Sequence, residues 1–224
     1  MNLVDVIIPA AGVGSRMNAE VAKQYLSINS VTVLDHTLNI FLEHPAIKRV
    51  LVGISAKDEL ARKSRYVNHP KLQFFVGGNE RADTVLAGLA SLSGDDLVMV
   101  HDAARPLLSS VLLDSLVATP LAKNEGAILA LPARDTVRKL EAGRTQTIDR
   151  SQIWLAQTPQ MFHRGFLYNA LSSAIDSGEA ITDEASAAEL MGGAIHMVES
   201  SPINFKITTP SDLVMARALF SQRS

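Results

Sequence analysis

Along the first half of the chain, short β-branched runs alternate with stretches of helical period. They read "VDVII", "VLDHTLNIFLEH", "RVLVGIS", "DELARKSRY", "LQFFV", "ERADTVLAGLASL" and "DLVMVHD". This is the rhythm of βαβ units. Right-handed crossovers build a parallel sheet that is covered on both faces, so its strands read as continuously apolar, as "LVMV" and "AILAL" do. The expectation is an α/β, Rossmann-like fold: a mostly parallel twisted sheet with helices on both faces. With 224 residues, 47% of them hydrophobic, the chain can bury a substantial core, and one domain over residues 1–224 is expected.

The alternation breaks at residues 132–154, "PARDTVRKLEAGRTQTIDRSQIW", which are polar and charged, with "EAGR" as a turn between two stretches containing Thr, Val and Ile. A protruding β-hairpin arm is expected there. It is either an ordinary solvated excursion or an arm that packs on a second subunit, since a two-stranded ribbon is marginal alone in water. Helical spacing resumes in "GFLYNALSSAIDSG" and "DEASAAELMGG", with strands expected around "IHMVES" and "INFKIT". The last helix has a legible start: Thr209 as N-cap, Pro210 in the first turn and Asp212 beside the N-terminal dipole.

Composition removes several classes of function. A net charge of −2 without basic tracts offers no electrostatic footprint for nucleic acid. The absence of cysteine rules out disulfides and thiolate metal sites. The opening "MNLVDVIIPAAG" lacks a basic leader, and no run approaches the roughly 20 apolar residues that span a bilayer, so a cytoplasmic chain with no membrane partner is expected.

In open α/β sheets ligands bind beyond the carboxyl ends of the strands. The first such place is "PAAGVGSRMNAEVAKQYL", residues 9–26. It fails as a dinucleotide fingerprint, because the third glycine of G-x-G-x-x-G falls on Met17 and Asp35 reads as a helix-start residue; the G-x-x-x-x-G-K-[ST] phosphate loop is absent. Gly12 and Gly14 let backbone approach a ligand while Arg16 and Lys23 supply cations, an arrangement suited to polyphosphate or, more plainly, a solvated turn. Asp102, after a buried strand, could hold Mg²⁺, accept a hydroxyl bond or cap the strand end. Arg105 could meet an anion or pair with Asp102, and Lys206 needs a partner unless it guards an edge strand. His101, a lone histidine, reads as structural.

Taken in order, "PAAGVGSRM…KQY", "GGNERADTVLAGL", "VHDAARP", "IDRSQIWLAQTPQMF", "ITDEAS" and "FKITTPSDL" resemble the 2-C-methyl-D-erythritol 4-phosphate cytidylyltransferase family of the non-mevalonate isoprenoid pathway, nearly end to end. The resemblance implies a reaction of CTP with the methylerythritol phosphate to give 4-diphosphocytidyl-2-C-methyl-D-erythritol and pyrophosphate, with Mg²⁺ as cofactor. It implies Arg16, Lys23 and Lys206 as the catalytic cations. Ala10, Ala11, Gly12, Gly14, Gly78, Asn79, Thr84 and Asp102 would bind CTP, with Asp102 also near the metal. Ala103, Arg105 and Thr182 would contact the alcohol phosphate, together with Thr136 and Arg150 from the arm of a neighbouring subunit in a homodimer. Three positions depart from the family pattern: Ala22 where proline is frequent, Asn79 where aspartate is, and Thr84, which keeps the hydroxyl of the usual serine. Besides a more distant nucleotide-sugar pyrophosphorylase, whose glycine loop also precedes a lysine, two rivals are the related ribitol-5-phosphate cytidylyltransferase and a nucleotide-binding sensor without turnover. "IDRSQIWLAQTPQMF" favours the methylerythritol enzyme over the first, and the set of cations argues against the second.

Overall fold

The computed structural model describes residues 3–12 and 21–222. The frame is a seven-stranded sheet. It contains β1 (Val4–Pro9), β4 (Ile47–Ile54), β5 (Leu72–Val76), β6 (Leu97–Val100), β7 (Glu125–Pro132), β10 (Trp154–His163) and β11 (Ala194–Glu199), in the spatial order β11-β7-β10-β6-β1-β4-β5. All neighbours pair in parallel except β10, which is antiparallel to both β6 and β7. The mostly parallel sheet expected from the apolar runs is therefore present.

The period of two along β1 divides the interior. Val4, Val6 and Ile8 join one core layer with the helices α1 (Val33–Leu42) and α3 (Ser110–Val117), through Leu38, Phe41 and Leu113. Ile7 points the other way, into a layer with α2 (Arg81–Ala90), α4 (Arg164–Asp176) and α5 (Glu184–Leu190), through Val85, Leu89 and Leu171. Helices thus cover both faces. A third cluster joins the small hairpin of β2 (Ser27–Ile28) and β3 (Val31–Thr32) to α6 (Pro210–Ser221) through Ile28, Ile207 and Leu213. Because Lys23 precedes β2 and Lys206 precedes α6, this cluster holds both lysine-bearing segments in one block.

Caps end the helices where the sequence marks them. Thr209 and Asp212 form a reciprocal capping box at α6, with Pro210 in its first turn. Asp35 lies in the first turn of α1, its amide donating to Thr32 Oγ1, which explains why it is no ribose-binding strand end.

Two expected elements differ. "DELARKSRY" forms only a 3₁₀ turn over Ala61–Lys63, because Asp58 accepts the Leu60 and Ala61 amides and the Ser64 hydroxyl donates to buried Asp35, which ties the segment to α1. "INFKIT" is not a strand. Its backbone bonds to the loop after β6, with Ile207 N–H donating to Ala104 C=O at 2.8 Å, so the reading of Lys206 as an edge-strand guard is dropped.

Within residues 132–154, β8 (Val137–Glu141) and β9 (Arg144–Ile148) form an antiparallel ribbon. Ala142 and Gly143 at its tip have φ of 47° and 75°, the two positive values that a two-residue hairpin turn requires. Its side chains are largely exposed.

Candidate active site

The centre of the sheet ends in a cavity of about 350 Å³. Three loops and one lysine meet there: Ala10, Ala11, Gly12 and Lys23 after β1; Gly78, Asn79 and Thr84 around the turn into α2; Asp102 and Ala103 after β6; and Lys206 from the segment before α6. β1 is the strand from which the parallel order departs in both directions, the switch point where such sheets open a crevice.

Each wall is fixed by identifiable bonds. Buried Gln24 donates its side-chain amide to the carbonyls of Ala10 at 2.8 Å and Gly12 at 3.2 Å, so the glycine loop and the lysine turn are stapled together. On the opposite wall the Thr84 hydroxyl accepts from Gly78 N–H and donates to Glu80 C=O, both at 3.1 Å. Thr84 is 1% exposed, so its hydroxyl shapes the turn and presents Gly78 and Asn79. Gly77 has to be glycine there, since a Cβ would stand 2.7 Å from the Thr84 oxygen and 3.0 Å from Ala11 Cβ.

Asp102 is the electrostatic centre. Its Oδ1 accepts from Arg81 Nε at 3.2 Å, while Oδ2 meets Arg105 Nε at 3.3 Å and Lys206 Nζ at 3.0 Å. Burial alone would raise its pKa, but Arg81, Lys206 and Arg105 outweigh this and hold the carboxyl well below its ordinary range. Two of the cations have second anchors. Arg81 makes a bidentate pair with fully buried Glu184 at 2.7 and 3.0 Å, and Arg105 donates to Asn204 C=O at 2.8 Å.

His101 beneath this cluster is structural. Its Nε2 bonds Arg105 C=O at 3.1 Å, which requires Nε2–H, leaving Nδ1 to accept from the Thr158 hydroxyl at 3.1 Å. That hydroxyl in turn accepts the Asp102 N–H at 3.1 Å, closing a circuit that locks the loop. Burial pushes the imidazole down to about 4, so it is neutral at pH 7.

A second cavity of about 180 Å³ shares Arg81, Asp102 and Lys206 with the first and extends to Arg105 and Thr182. The two cavities thus meet at one carboxylate. Of the remaining candidate residues, Thr136 and Arg150 flank the exposed ribbon and line neither cavity; Arg150 Nη1 donates to Arg134 C=O. Gly14 and Arg16 lie outside the described residues.

Sequence reasoning passed over Arg81, Glu184 and Gln24, although each stands inside a quoted motif: "GGNERADT", "ITDEAS" and "KQY". The available signal was a charged or amide side chain immediately beyond a glycine turn or at a helix start. What it could not show is that Arg81 and Glu184, 103 residues apart, are partners.

A mostly parallel sheet opening at its switch point onto glycine-rich turns, with Lys23 and Lys206 on the cavity of a central carboxylate, is suited to holding and transferring phosphoryl groups, as a nucleotidyltransferase does. The model of the family described as 2-C-methyl-D-erythritol 4-phosphate cytidylyltransferase matches residues 4–222. The enzyme of that name from Escherichia coli O157:H7 is 44% identical over 216 residues, covering 95% of this chain and 92% of the relative. The crystal structure of the Francisella tularensis enzyme superposes with a TM-score of 0.83 at 36% identity, covering 97% of this chain and 99% of that one. The crystal structure of the Thermus thermophilus enzyme gives a TM-score of 0.78 at 31% identity, covering 96% and 98%. The chain belongs to the 2-C-methyl-D-erythritol 4-phosphate cytidylyltransferase family.

Proposed function

We infer that the chain joins CTP to 2-C-methyl-D-erythritol 4-phosphate, giving 4-diphosphocytidyl-2-C-methyl-D-erythritol and pyrophosphate, as one nucleotidyltransferase domain of the non-mevalonate isoprenoid pathway in the cytoplasm. The observation that carries the reading is the placement of Lys23, Asp102 and Lys206 on one cavity, in a chain that matches the family from residue 4 to 222. No helix among the described residues is long and apolar enough to cross a membrane.

The chemistry needs no enzyme nucleophile. A phosphate oxygen of the alcohol attacks the α-phosphorus of CTP, the bond from that phosphorus to the bridging oxygen of the β-phosphate breaks, and pyrophosphate leaves. Two anions have to be brought together and the charge at the in-line transition state stabilised. Lys23 and Lys206 supply that charge from this cavity, with Arg16 assigned the same task from the opening loop. Ala10, Ala11, Gly12 and Gly14 receive the triphosphate by backbone. The turn held by Thr84 offers Gly78 and Asn79 to the base. Ala103, Arg105 and Thr182 receive the second substrate, beside the smaller cavity.

Mg²⁺ binding commonly takes one or two carboxylates plus substrate phosphates. Asp102 fits that donor set, because Oδ1 carries the Arg81 bond alone among the contacts above and retains acceptor capacity, while Oδ2 carries two cations. Among the described residues no group of three or more His, Asp or Glu forms a self-sufficient metal site, so CTP would supply the remaining ligands. When bound, the ion neutralises phosphate charge. Thr136 and Arg150, which line neither cavity of their own chain, are assigned to the second-substrate site of a neighbouring subunit in a homodimer, as the family resemblance implies.

The test is pyrophosphate release with CTP and Mg²⁺, comparing methylerythritol phosphate with ribitol 5-phosphate, and CTP with other nucleoside triphosphates. Turnover confined to CTP and methylerythritol phosphate is expected. Preference for ribitol 5-phosphate, or CTP binding without release, would overturn the reading.

A further inference from the structure

Three cations converge on Asp102, but they are not equivalent. Arg105 is tied to the chain at Asn204 C=O, and Arg81 is tied to Glu184 through two parallel bonds. Lys206, with 36% of its side chain exposed against 31% for Arg81 and 11% for Arg105, is set apart by its lack of a second anchor among the contacts above, and reaches Oδ2 by a flexible stem and a compact ammonium. Glu184 is fully buried, at the first turn of α5, directly after the Thr182–Asp183 edge of the smaller cavity. The groups facing Asp102 and its partners also include Lys23 and Glu80 on the larger cavity and Asp183 on the smaller one.

Resting on the functional reading above, we propose that Arg81 is a positioning residue: by bridging Glu184 and Asp102 it fixes the carboxylate shared by the two cavities, which leaves Lys206 able to leave Asp102 for an incoming phosphate. Asp102 and the incoming phosphate compete for Lys206. Two anchored guanidiniums, Arg81 on Oδ1 and Arg105 on Oδ2, already compensate the Asp102 charge when Lys206 departs. Remove Arg81, and Asp102 depends on Lys206 for its second cation; the lysine is then held back from substrate. A purely structural Arg81 would weaken the enzyme without altering what Lys206 is worth. The bridge also links the helix behind the base-binding turn to the helix behind Thr182, so it sets the spacing of the two substrate sites.

The cost of Lys206→Ala, measured in two backgrounds, tests this. Arg81→Met alone strands the buried Glu184 charge and can fail to fold, so the second background is Arg81→Met combined with Glu184→Gln, which removes both charges together. In the otherwise unaltered chain Lys206→Ala should lower kcat by about a hundredfold or more, an effect typical of one lost transition-state contact. In the charge-neutral double variant, folded by circular dichroism, the same substitution should cost less than tenfold, since Lys206 is already diverted. Arg81→Lys, which restores a cation to Asp102 without the bidentate pair, should recover part of the Lys206 effect.

Equal Lys206→Ala losses in both backgrounds would overturn the proposal. The same cycle read by calorimetry with CTP, and with inorganic pyrophosphate, is independent of turnover. Should the chain bind these ligands without releasing pyrophosphate, the functional reading fails, and the binding cycle still decides whether Arg81 governs Lys206: a Lys206→Ala affinity loss that shrinks in the double variant supports it, and an unchanged loss refutes it.

Discussion

The cleft and the arm hold their charged residues in opposite ways. In the cleft, Asp102 is met by side chains from three separate stretches, Arg81 on α2, Arg105 in its own loop and Lys206 before α6, and two of these have further anchors. In the arm the contacts are local: Arg138 to Thr147 across the ribbon, Lys139 to Glu141, and Asp149 to Ser151. A buried charge has to be paired from wherever the fold can supply a partner, whereas an exposed one is satisfied by water. The cleft is thus organised within one chain, while the arm holds its functional candidates, Thr136 and Arg150, without committing them to a site of that chain.

The largest separation between the two regions is expected at Lys23. It lines the main cavity, and Gln24 beside it pins the turn to Ala10 and Gly12, so truncating the lysine leaves the staple intact. Lys23→Ala should lower kcat by about 10²- to 10³-fold, as for a lost transition-state donor. The melting temperature should stay within a few degrees of that of the unaltered protein. Near-normal turnover in the purified variant would take Lys23 out of the catalytic set.

Next in size is a pH effect specific to the cleft. His101 is buried and neutral, with its pKa pushed down to about 4 from the ordinary 6.5. The unfolded chain therefore binds the proton more readily than the folded one, and stability is lost as pH falls from about 6.5 toward 4. The loss by pH 4 is about 3 kcal/mol from this residue. Urea unfolding at pH 7, 5.5 and 4.5 measures it. His101→Asn should be less stable at pH 7, because its bonds to Thr158 and Arg105 are disturbed, yet it should lose less between pH 6.5 and 4.5 than the unaltered chain. Identical slopes would mean that other groups carry the acid sensitivity. No residue of β8 or β9 is buried enough to produce such an effect.

How much could be read beforehand divides along the same line between local and distant causes. The strands β1, β4, β5, β6 and β7 were legible because each is a short apolar run in its own residues, and the α6 cap because Thr209, Pro210 and Asp212 are neighbours. Residues 58–66 and 203–208 were misread because their conformation is set by remote partners: Asp35 and Tyr25 for the first, Ala104 and Arg105 for the second. In the site, Asp102 was singled out by its place just beyond the carboxyl end of an expected strand, whereas Ala10 and Gly78 came from the family resemblance. The Arg81–Glu184 bridge was not found, since neither residue directly succeeds a strand and a place at a helix start does not reveal a partner 103 residues away. β10 was not expected at all, because Gln157, Thr158, Pro159 and Gln160 interrupt the apolar pattern of its sequence.

The arm gives the smallest expected effect and the sharpest contrast. Arg150 is exposed, and its Nη1 is bonded to the Arg134 carbonyl across the base of the ribbon, so losing it should change stability by no more than about 0.5 kcal/mol, as for ordinary surface positions. If the arm of one subunit reaches the second-substrate cavity of another, Arg150→Ala removes a cation from that site alone. KM for methylerythritol phosphate should then rise about tenfold, the scale of one partly solvated charge-assisted contact. KM for CTP should change less than twofold. The same variant mixed with Lys23→Ala supplies the decisive arrangement. In a mixed dimer, one site combines the intact Lys23 with the intact arm of the other subunit, so activity should partly return when two separately impaired proteins are combined. A monomer by sedimentation with full activity, or no recovery on mixing dimers that do exchange subunits, would return the ribbon to an ordinary solvated excursion and leave the cleft to bind both substrates within one chain.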